Sequence, residues 1–283
     1  MRRSSAFSTA FNRLAGLAAA LAAVAVLAGC RPGRPAEGRP RTVVAASSYL
    51  ESAAREFLEA DRVVSLAPPG MCPGHFDLKP SHAAAIRNAA LLVRFDFQAR
   101  LDKQLSRLGG NRPGVVVVKL PEGLGIPATY LQACRQVGEA LVAAGLVEGP
   151  AARKRLGEIA DRLRRLDAQL RRDVGHLAGT PVLASEHQAA FCRYLGLKVS
   201  ATFPPSEAIR ISQVEQCLSI GRADKARCVV ANLQEGTAAA RGLADRLKVP
   251  MVVFSNFPAM TDEQRNFDAM ARANVAALLK ALR

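Results

Sequence analysis

A repeated grammar most limits what this chain can fold into. Short aliphatic runs alternate with helical patterns, first between residues 42 and 144 and again from 181 onward. In the first series Thr42–Ala46, Val63–Leu66, Ala90–Arg94 and Val115–Lys119 read as strands, while Leu50–Ala60, Ser81–Asn88, Gln98–Leu108 and Thr129–Ala144 read as helices. In the second, Pro181–Ala184, Val199–Phe203, Cys228–Ala231 and Met251–Phe254 are strands, and Ala189–Leu195, Ser212–Gly221 and Gly236–Leu247 are helices. A last helix carries Phe267, Met270, Asn274, Leu278 and Leu282, with Thr261 and Gln264 spaced as a capping box at its start. Continuous apolar strands separated by helices build parallel sheets covered on both faces, so Val115–Lys119 is expected to be fully buried. The fold class is therefore α/β: two small lobes, each a mostly parallel four-stranded sheet with flanking helices.

Between the two series, Leu156, Ile159, Leu163, Leu166, Leu170, Val174 and Leu177 recur at spacings of three and four. That is one narrow apolar stripe on a single long helix, Ala151 to Leu177, joining the lobes. Residues 151–172 hold eight basic and three acidic side chains, which read as a solvated helix surface. A coiled-coil dimer through this helix is the weaker alternative, and the chain is expected to be a monomer.

The N-terminus carries an export signal. Arg2, Arg3 and Arg13 precede an uncharged apolar run from Leu14 to Ala28, shorter than the roughly 20 residues that span a bilayer. The run exits at Leu27-Ala28-Gly29-Cys30, which resembles a bacterial lipobox, with Cys30 as the lipidated residue. An ordinary signal peptide with a chance cysteine is the competing reading. Arg31–Arg41 is rich in Pro, Gly and Arg, without apolar periodicity, and reads as a tether. The expected organisation is signal peptide 1–29, tether 30–41, N-terminal lobe 42–149, connecting helix 150–178 and C-terminal lobe 179–283. The protein is then held at the outer face of the cell membrane, in the periplasm or outside the cell, by a lipid anchor.

The formal net charge of +15 invites a nucleic-acid reading. Three of those charges leave with the signal and three lie in the tether, which leaves about +9 on the folded body. The chain has no Trp and 5% aromatics, and no nucleic-acid reader motif. The charge suits an anionic membrane surface, and no nucleic-acid partner is expected. Nor is there an HExxH, GxSxG, GxxxxGK[ST] or helix-opening GxGxxG motif, so an enzyme, such as a metal hydrolase, is the least supported class.

Two α/β lobes joined by one long helix behind a lipobox resemble the zinc- and manganese-type solute-binding lipoproteins of ABC importers, over residues 43 to 283. The resemblance implies an ion held between the lobes by side chains from four loops, and delivery to an ABC permease and its ATPase. Pro69–Ser81, with Pro73-Gly74-His75, is similar to the segment that supplies the first ligand. Glu122 stands five residues before Pro127, where the family places a His ahead of a helix-opening Pro. Ser185-Glu186-His187 falls where the family places its third ligand, and Asn256 where it places an acid after the last strand. Asn232 takes the place of a further acid, after the penultimate strand.

His75, His187 and Glu122 are thus the candidate metal ligands, with Asn256 and Cys72 as weaker ones. His75 and His187 are read on loops at the C-terminal ends of strands, the edge where open α/β sheets bind ligands. His82 and His176 are assigned to helices and no site. Imidazoles and a carboxylate suit Zn²⁺, the expected ion, and also Mn²⁺ or Fe²⁺. Besides Cys30 there are five cysteines, an odd number, so at least one is free in an oxidising compartment. Cys217 and Cys228 flank one connection and are candidates to pair, Cys134 and Cys192 read as buried thiols, and Cys72 either ligates, gates the site or pairs elsewhere. A metal chelate, haem or another small molecule on the same scaffold is the alternative cargo, since a basic cleft would welcome an anionic chelate.

Overall fold

A computed structural model describes residues 42–67, 78–107, 113–259 and 266–283. The signal, the tether with Cys30, the segment bearing Cys72 and His75, and the Thr261–Gln264 capping box lie outside the described residues. Two four-stranded, all-parallel sheets are present. The first contains β1 (Thr42–Ala45), β2 (Val63–Ser65), β3 (Ala89–Phe95) and β4 (Gly114–Val118), in the order β2-β1-β3-β4. The second contains β5 (Pro181–Ser185), β6 (Lys198–Phe203), β7 (Cys228–Asn232) and β8 (Met251–Phe254), in the equivalent order β6-β5-β7-β8.

Around the first sheet run α1 (Ser48–Arg55), α2 (Pro80–Asn88), α3 (Arg100–Leu105) and α4 (Pro127–Ala143). The long helix α5 (Gly149–Val174) follows, then α6 (Glu186–Tyr194), α7 (Ile211–Ala223), α8 (Ala238–Leu247) and α9 (Phe267–Ala281). Local chemistry sets the ends. The Ser47 side chain caps α1 by accepting from the Leu50 amide. Proline opens α4 and stands in the first turn of α5, where its missing N–H costs nothing. Asn266 caps α9 by accepting from the Ala269 amide, five residues past the expected cap at Thr261.

α5 is 26 residues long, about 39 Å at 1.5 Å per residue. Its stripe of Ile159, Leu163, Leu166, Leu170 and Val174 is buried in one cluster with residues of both sheets, among them Val43, Val93, Val182 and Val230. Aromatic rings close the same core. Tyr49 of α1 meets Phe95, Tyr130, Phe257 and Phe267 at centroid distances of 5.8, 5.3, 6.4 and 6.1 Å. Tyr130 and Phe267 stack at 4.2 Å. The first two partners of Tyr49 follow the N-terminal sheet's pattern and the last two follow β8, so this cluster ties one series to the other.

The basic face of α5 is not simply solvated. Arg162 reaches Glu56, just beyond α1, at 2.5 Å, and Asp268 of α9 at 3.3 Å. Arg155 donates to the Glu56 carboxylate at 3.2 Å and to its backbone carbonyl at 2.7 Å, and Tyr130 Oη donates to the same carboxylate at 3.3 Å. The Glu56 side chain is only 7% exposed, so its charge is held by three partners in place of water.

Three expectations are corrected. Strand β4 is an edge strand, and Val115 and Val117 are 47% and 38% exposed. Only its other face, with Val116 and Val118, packs on the core. Cys217 and Cys228 do not pair: Cys134, Cys192, Cys217 and Cys228 are free and buried. The pleat of β7 places Cys228 and Val230 in the large core and Val229 in the cluster that holds Cys217, on the opposite face of the sheet. Helix α6 begins at Glu186, so Glu186 and His187 form a first helical turn, not a loop. No described helix is long and apolar enough to cross a membrane.

Removing the Glu56 carboxylate leaves two guanidinium groups aimed at an apolar junction. Glu56→Ala is expected to destabilise the fold by about 3 kcal/mol, read from urea unfolding. Arg164→Ala, which removes an exposed pair with Asp161, is expected to change stability by less than about 0.5 kcal/mol.

Candidate functional site

A cleft of 310 Å³ opens at the C-terminal edge of both sheets. Phe95, Asp96 and Phe97 reach it from the end of β3, and Leu120 to Leu124 from the connection after β4. Glu186 and His187 reach it from the end of β5, and Asn256 from the end of β8. Sheet polarity explains the location, because parallel strands deliver all their following connections to one edge.

Two glycines let the β4–α4 connection lie directly on α6. Gly123 has φ +88°, and a Cβ there would sit 2.5 Å from Ile126 Cδ1 and 3.2 Å from Ala190 of α6. A Cβ on Gly125 would meet the Phe191 ring at 3.0 Å. This close approach brings Glu122 into the electrostatic field of His187. Sequence position suggested both residues, and the structure places them on one cleft.

His187 has a 62% exposed side chain, and its Nδ1 pairs with Glu235 Oε1. The Glu235 side chain is only 9% exposed and accepts a 2.6 Å bond from the Ser185 hydroxyl through Oε2. Hydrogen bonding to Glu235 raises the His187 pKa above its ordinary value; burial opposes this, and the charges of Glu235, Glu186 and Glu122 add to it. For Glu235, burial pushes the pKa up, but the bonds from His187 and Ser185 outweigh it and hold the carboxyl below its usual range. With Nδ1 engaged, Nε2 is the ring nitrogen left for a ligand.

Sequence reasoning missed Glu235, because the family resemblance assigns the acid to Asn232. A single 3-10 turn, Leu233–Glu235, carries the chain three residues past the strand end before Gly236 turns it away at φ +78°. Asn232 and Asn256 are tied into one hydrogen-bond network. Gln188 of α6, fully buried, donates to Asn256 Oδ1 at 3.0 Å and to Asn232 Oδ1 at 3.3 Å. Gln234 accepts from the Asn256 amide at 3.0 Å. Asn256 thus lines the cleft with its side-chain oxygen already committed.

Asp96, Glu122 and Glu186 line the cleft, and no Lys or Arg does among the described residues. In a chain of net +15, the described lining makes an acidic recess, suited to a cation and not to the anionic chelate that a basic cleft would welcome. Among the described residues no three His, Cys, Asp or Glu side chains stand together as a complete ligand set. His75 and Cys72 lie outside those residues. His82 caps its own helix, its Nδ1 accepting from the Lys79 amide, and His176 is exposed in the turn after α5, so neither reaches the cleft.

Residues 43–281 match the family described as zinc-uptake complex component A, periplasmic (ZnuA). The chain belongs to this family. Its members are metal-binding solute-binding proteins of ABC importers. Among solved structures, the chain is similar to the periplasmic metal-binding protein of Candidatus Liberibacter asiaticus, at 13% identity and TM-score 0.73, covering 86% of this chain and 100% of that one. The manganese-bound form of that protein gives 12% identity and TM-score 0.73 over the same shares. A crystal structure of ZnuA gives 14% identity and TM-score 0.69, again over 86% of this chain and 100% of that one. No curated protein matches the chain by sequence. At these identities the structures establish the shared fold, a pair of four-stranded parallel sheets with flanking helices.

The His187–Glu235 pair gives a signed pH dependence. A raised His pKa stabilises the fold fully below the unfolded value of 6.5, and that contribution is lost as pH rises through the higher folded value. The lowered Glu235 pKa contributes above its unfolded value of 4.5 and is lost as pH falls through the lower folded value. Thermal unfolding of the metal-free protein is expected to show the largest gap between wild type and His187→Gln between pH 4.5 and 6.5, closing as pH rises above 6.5 through the raised folded value.

Proposed function

We propose that this protein is a lipid-anchored carrier of the cell envelope that captures a divalent transition-metal ion, zinc first, and delivers it to an ABC permease and its ATPase. The reading rests on one observation above all: His187 is held through Nδ1 by a largely shielded, hydroxyl-anchored carboxylate at an acidic cleft. A carboxylate behind a ligating imidazole orients the ring and raises its basicity. In the proposed site His187 binds through Nε2, Glu122 approaches from the opposite sheet, and His75 completes the set, with Cys72 as a further donor. Glu235 orients His187, and Asn256 frames the cleft.

Zinc is favoured over manganese by the donor chemistry. Two positions where the family resemblance places acids hold the amides Asn232 and Asn256. Fewer hard anionic oxygens and a larger share of imidazole move preference from Mn²⁺ toward Zn²⁺. Anchoring at Cys30 supports retention near the permease, and the basic tether supports contact with anionic headgroups. The ligands must be deprotonated to bind, so release is favoured by acid.

Calorimetric titration of the metal-stripped mature protein is expected to show one saturable Zn²⁺ site. Glu235→Ala is expected to weaken it by roughly 10- to 100-fold and His187→Ala by at least as much, with affinity falling as pH drops through the imidazole range. Absence of saturable binding by Zn²⁺, Mn²⁺ and Fe²⁺ overturns the proposal.

A further inference from the structure

The wall that carries His187 is hydrogen-bonded in one direction. The bonds start at Glu235, whose ionised carboxylate can only accept. It accepts from Ser185 Oγ at 2.6 Å, from His187 Nδ1 and from the side-chain amide of Asn232. Asn232 therefore turns Nδ2 to Glu235, and its Oδ1 is left to accept from elsewhere. The donor it meets is Gln188 Nε2, at 3.3 Å. That nitrogen has a second hydrogen, which goes to Asn256 Oδ1 at 3.0 Å. Gln188 is fully buried, so both bonds are shielded from solvent.

This direction leaves one atom stranded. Gln188 Oε1 is buried and has no partner among the described residues, although buried acceptors are rarely left alone. Turning the amide over would set that oxygen against Asn232 Oδ1, which Glu235 holds in place. The anion at Glu235 thus orients each amide in turn, and the last in line is Asn256.

Asn256 is 4% exposed and lines the cleft at the end of β8. Its backbone is fixed as well, the N–H donating to Gln234 Oε1 at 3.0 Å. With Oδ1 drawn inward by Gln188, the side-chain atom left for the cleft is Nδ2. An amide nitrogen presents donor hydrogens, not a lone pair, to a cation.

Resting on the metal-carrier reading, we infer that Gln188 is a positioning residue that determines ion specificity: by holding Asn256 Oδ1 out of the cleft it keeps a hard oxygen donor off the ion, and so favours Zn²⁺ over Mn²⁺. Gln188 acts through Asn256 and does not touch the ion.

Calorimetry of the metal-stripped mature protein with Zn²⁺ and with Mn²⁺ tests this through the ratio of the two dissociation constants, which a merely structural role leaves unmoved. In Gln188→Glu the side chain at 188 no longer donates to both asparagines. A protonated carboxyl donates once, to Asn232, and an ionised one not at all. Asn256 then turns Nδ2 to position 188 and Oδ1 to the cleft. The Zn²⁺ preference is expected to shrink about tenfold. The double variant Gln188→Glu/Asn256→Leu has no oxygen to turn and is expected to regain the wild-type ratio to within about twofold. Where Gln188→Glu loses the cooperative thermal unfolding of wild type, Asn256→Asp replaces it. There one carboxylate oxygen still accepts from Gln188 and the other faces the ion, with the same narrowing expected. An unmoved ratio in the folded variant, a narrowing that persists in the double variant, or a wild type that binds Mn²⁺ as tightly as Zn²⁺ overturns the role of Gln188 and leaves the carrier reading standing. Absence of saturable binding of either ion by wild type overturns the carrier reading and this inference with it.

Discussion

The buried carboxylate of Glu56 is the joint on which the architecture depends. It sits where α1 ends, accepts from Arg155 and Arg162 of the long helix and from Tyr130 of α4, and through Arg162 is linked to Asp268 of α9. A single charged group in low-dielectric surroundings is costly unless paired. Here the pairing fixes how four helices meet. Tyr49, Tyr130 and Phe267 pack beside the joint, so polar and apolar contacts specify one arrangement of the two sheets about α5. With that arrangement set, the C-terminal strand edges of both sheets have only one place to converge, and that place is the cleft.

Charge is sorted along with geometry. Four arginines of α5 are engaged: Arg155 and Arg162 pair with Glu56 and Asp268, Arg164 pairs with Asp161, and Arg171 pairs with Asp167 and lies over Tyr194. Acidic side chains gather at the cleft. The excess of positive charge, the most visible feature of the composition, therefore says little about the site, whose local field has the opposite sign. An acidic recess in a basic protein gives the cleft a local field that draws cations, against the sign of the chain as a whole.

Much of the fold was legible because burial imposes short-range rules. Continuous aliphatic runs such as Val43–Val44 and Val229–Val230 marked central strands, and the stripe from Ile159 to Val174 marked the long helix. The strand at Gly114–Val118 was misread as doubly buried because edge and centre strands share the same composition, and only sheet order distinguishes them. The cysteine pairing failed for a related reason. Residues 217 and 228 are close in sequence, but a sheet lies between them, and pleat parity decides which face each side chain joins.

By itself the sequence determined the α/β class, the two-part repeat, the connecting helix and the candidacy of His187 and Glu122, since each follows from periodicity, spacing or resemblance along a short stretch. Only the tertiary structure decided what those candidates meet. Glu235 is 48 residues from His187 in sequence and reaches its Nδ1 because a 3-10 turn at the end of β7 points it there. Gln188 occupies the side-chain oxygens of Asn232 and Asn256 by donating to both, and Phe97 is exposed although it stacks on Phe95, which is anchored in a core shared by both sheets. Such contacts join residues that no local pattern relates. They exist only after parallel strands have been stacked side by side and their ends brought to a common edge.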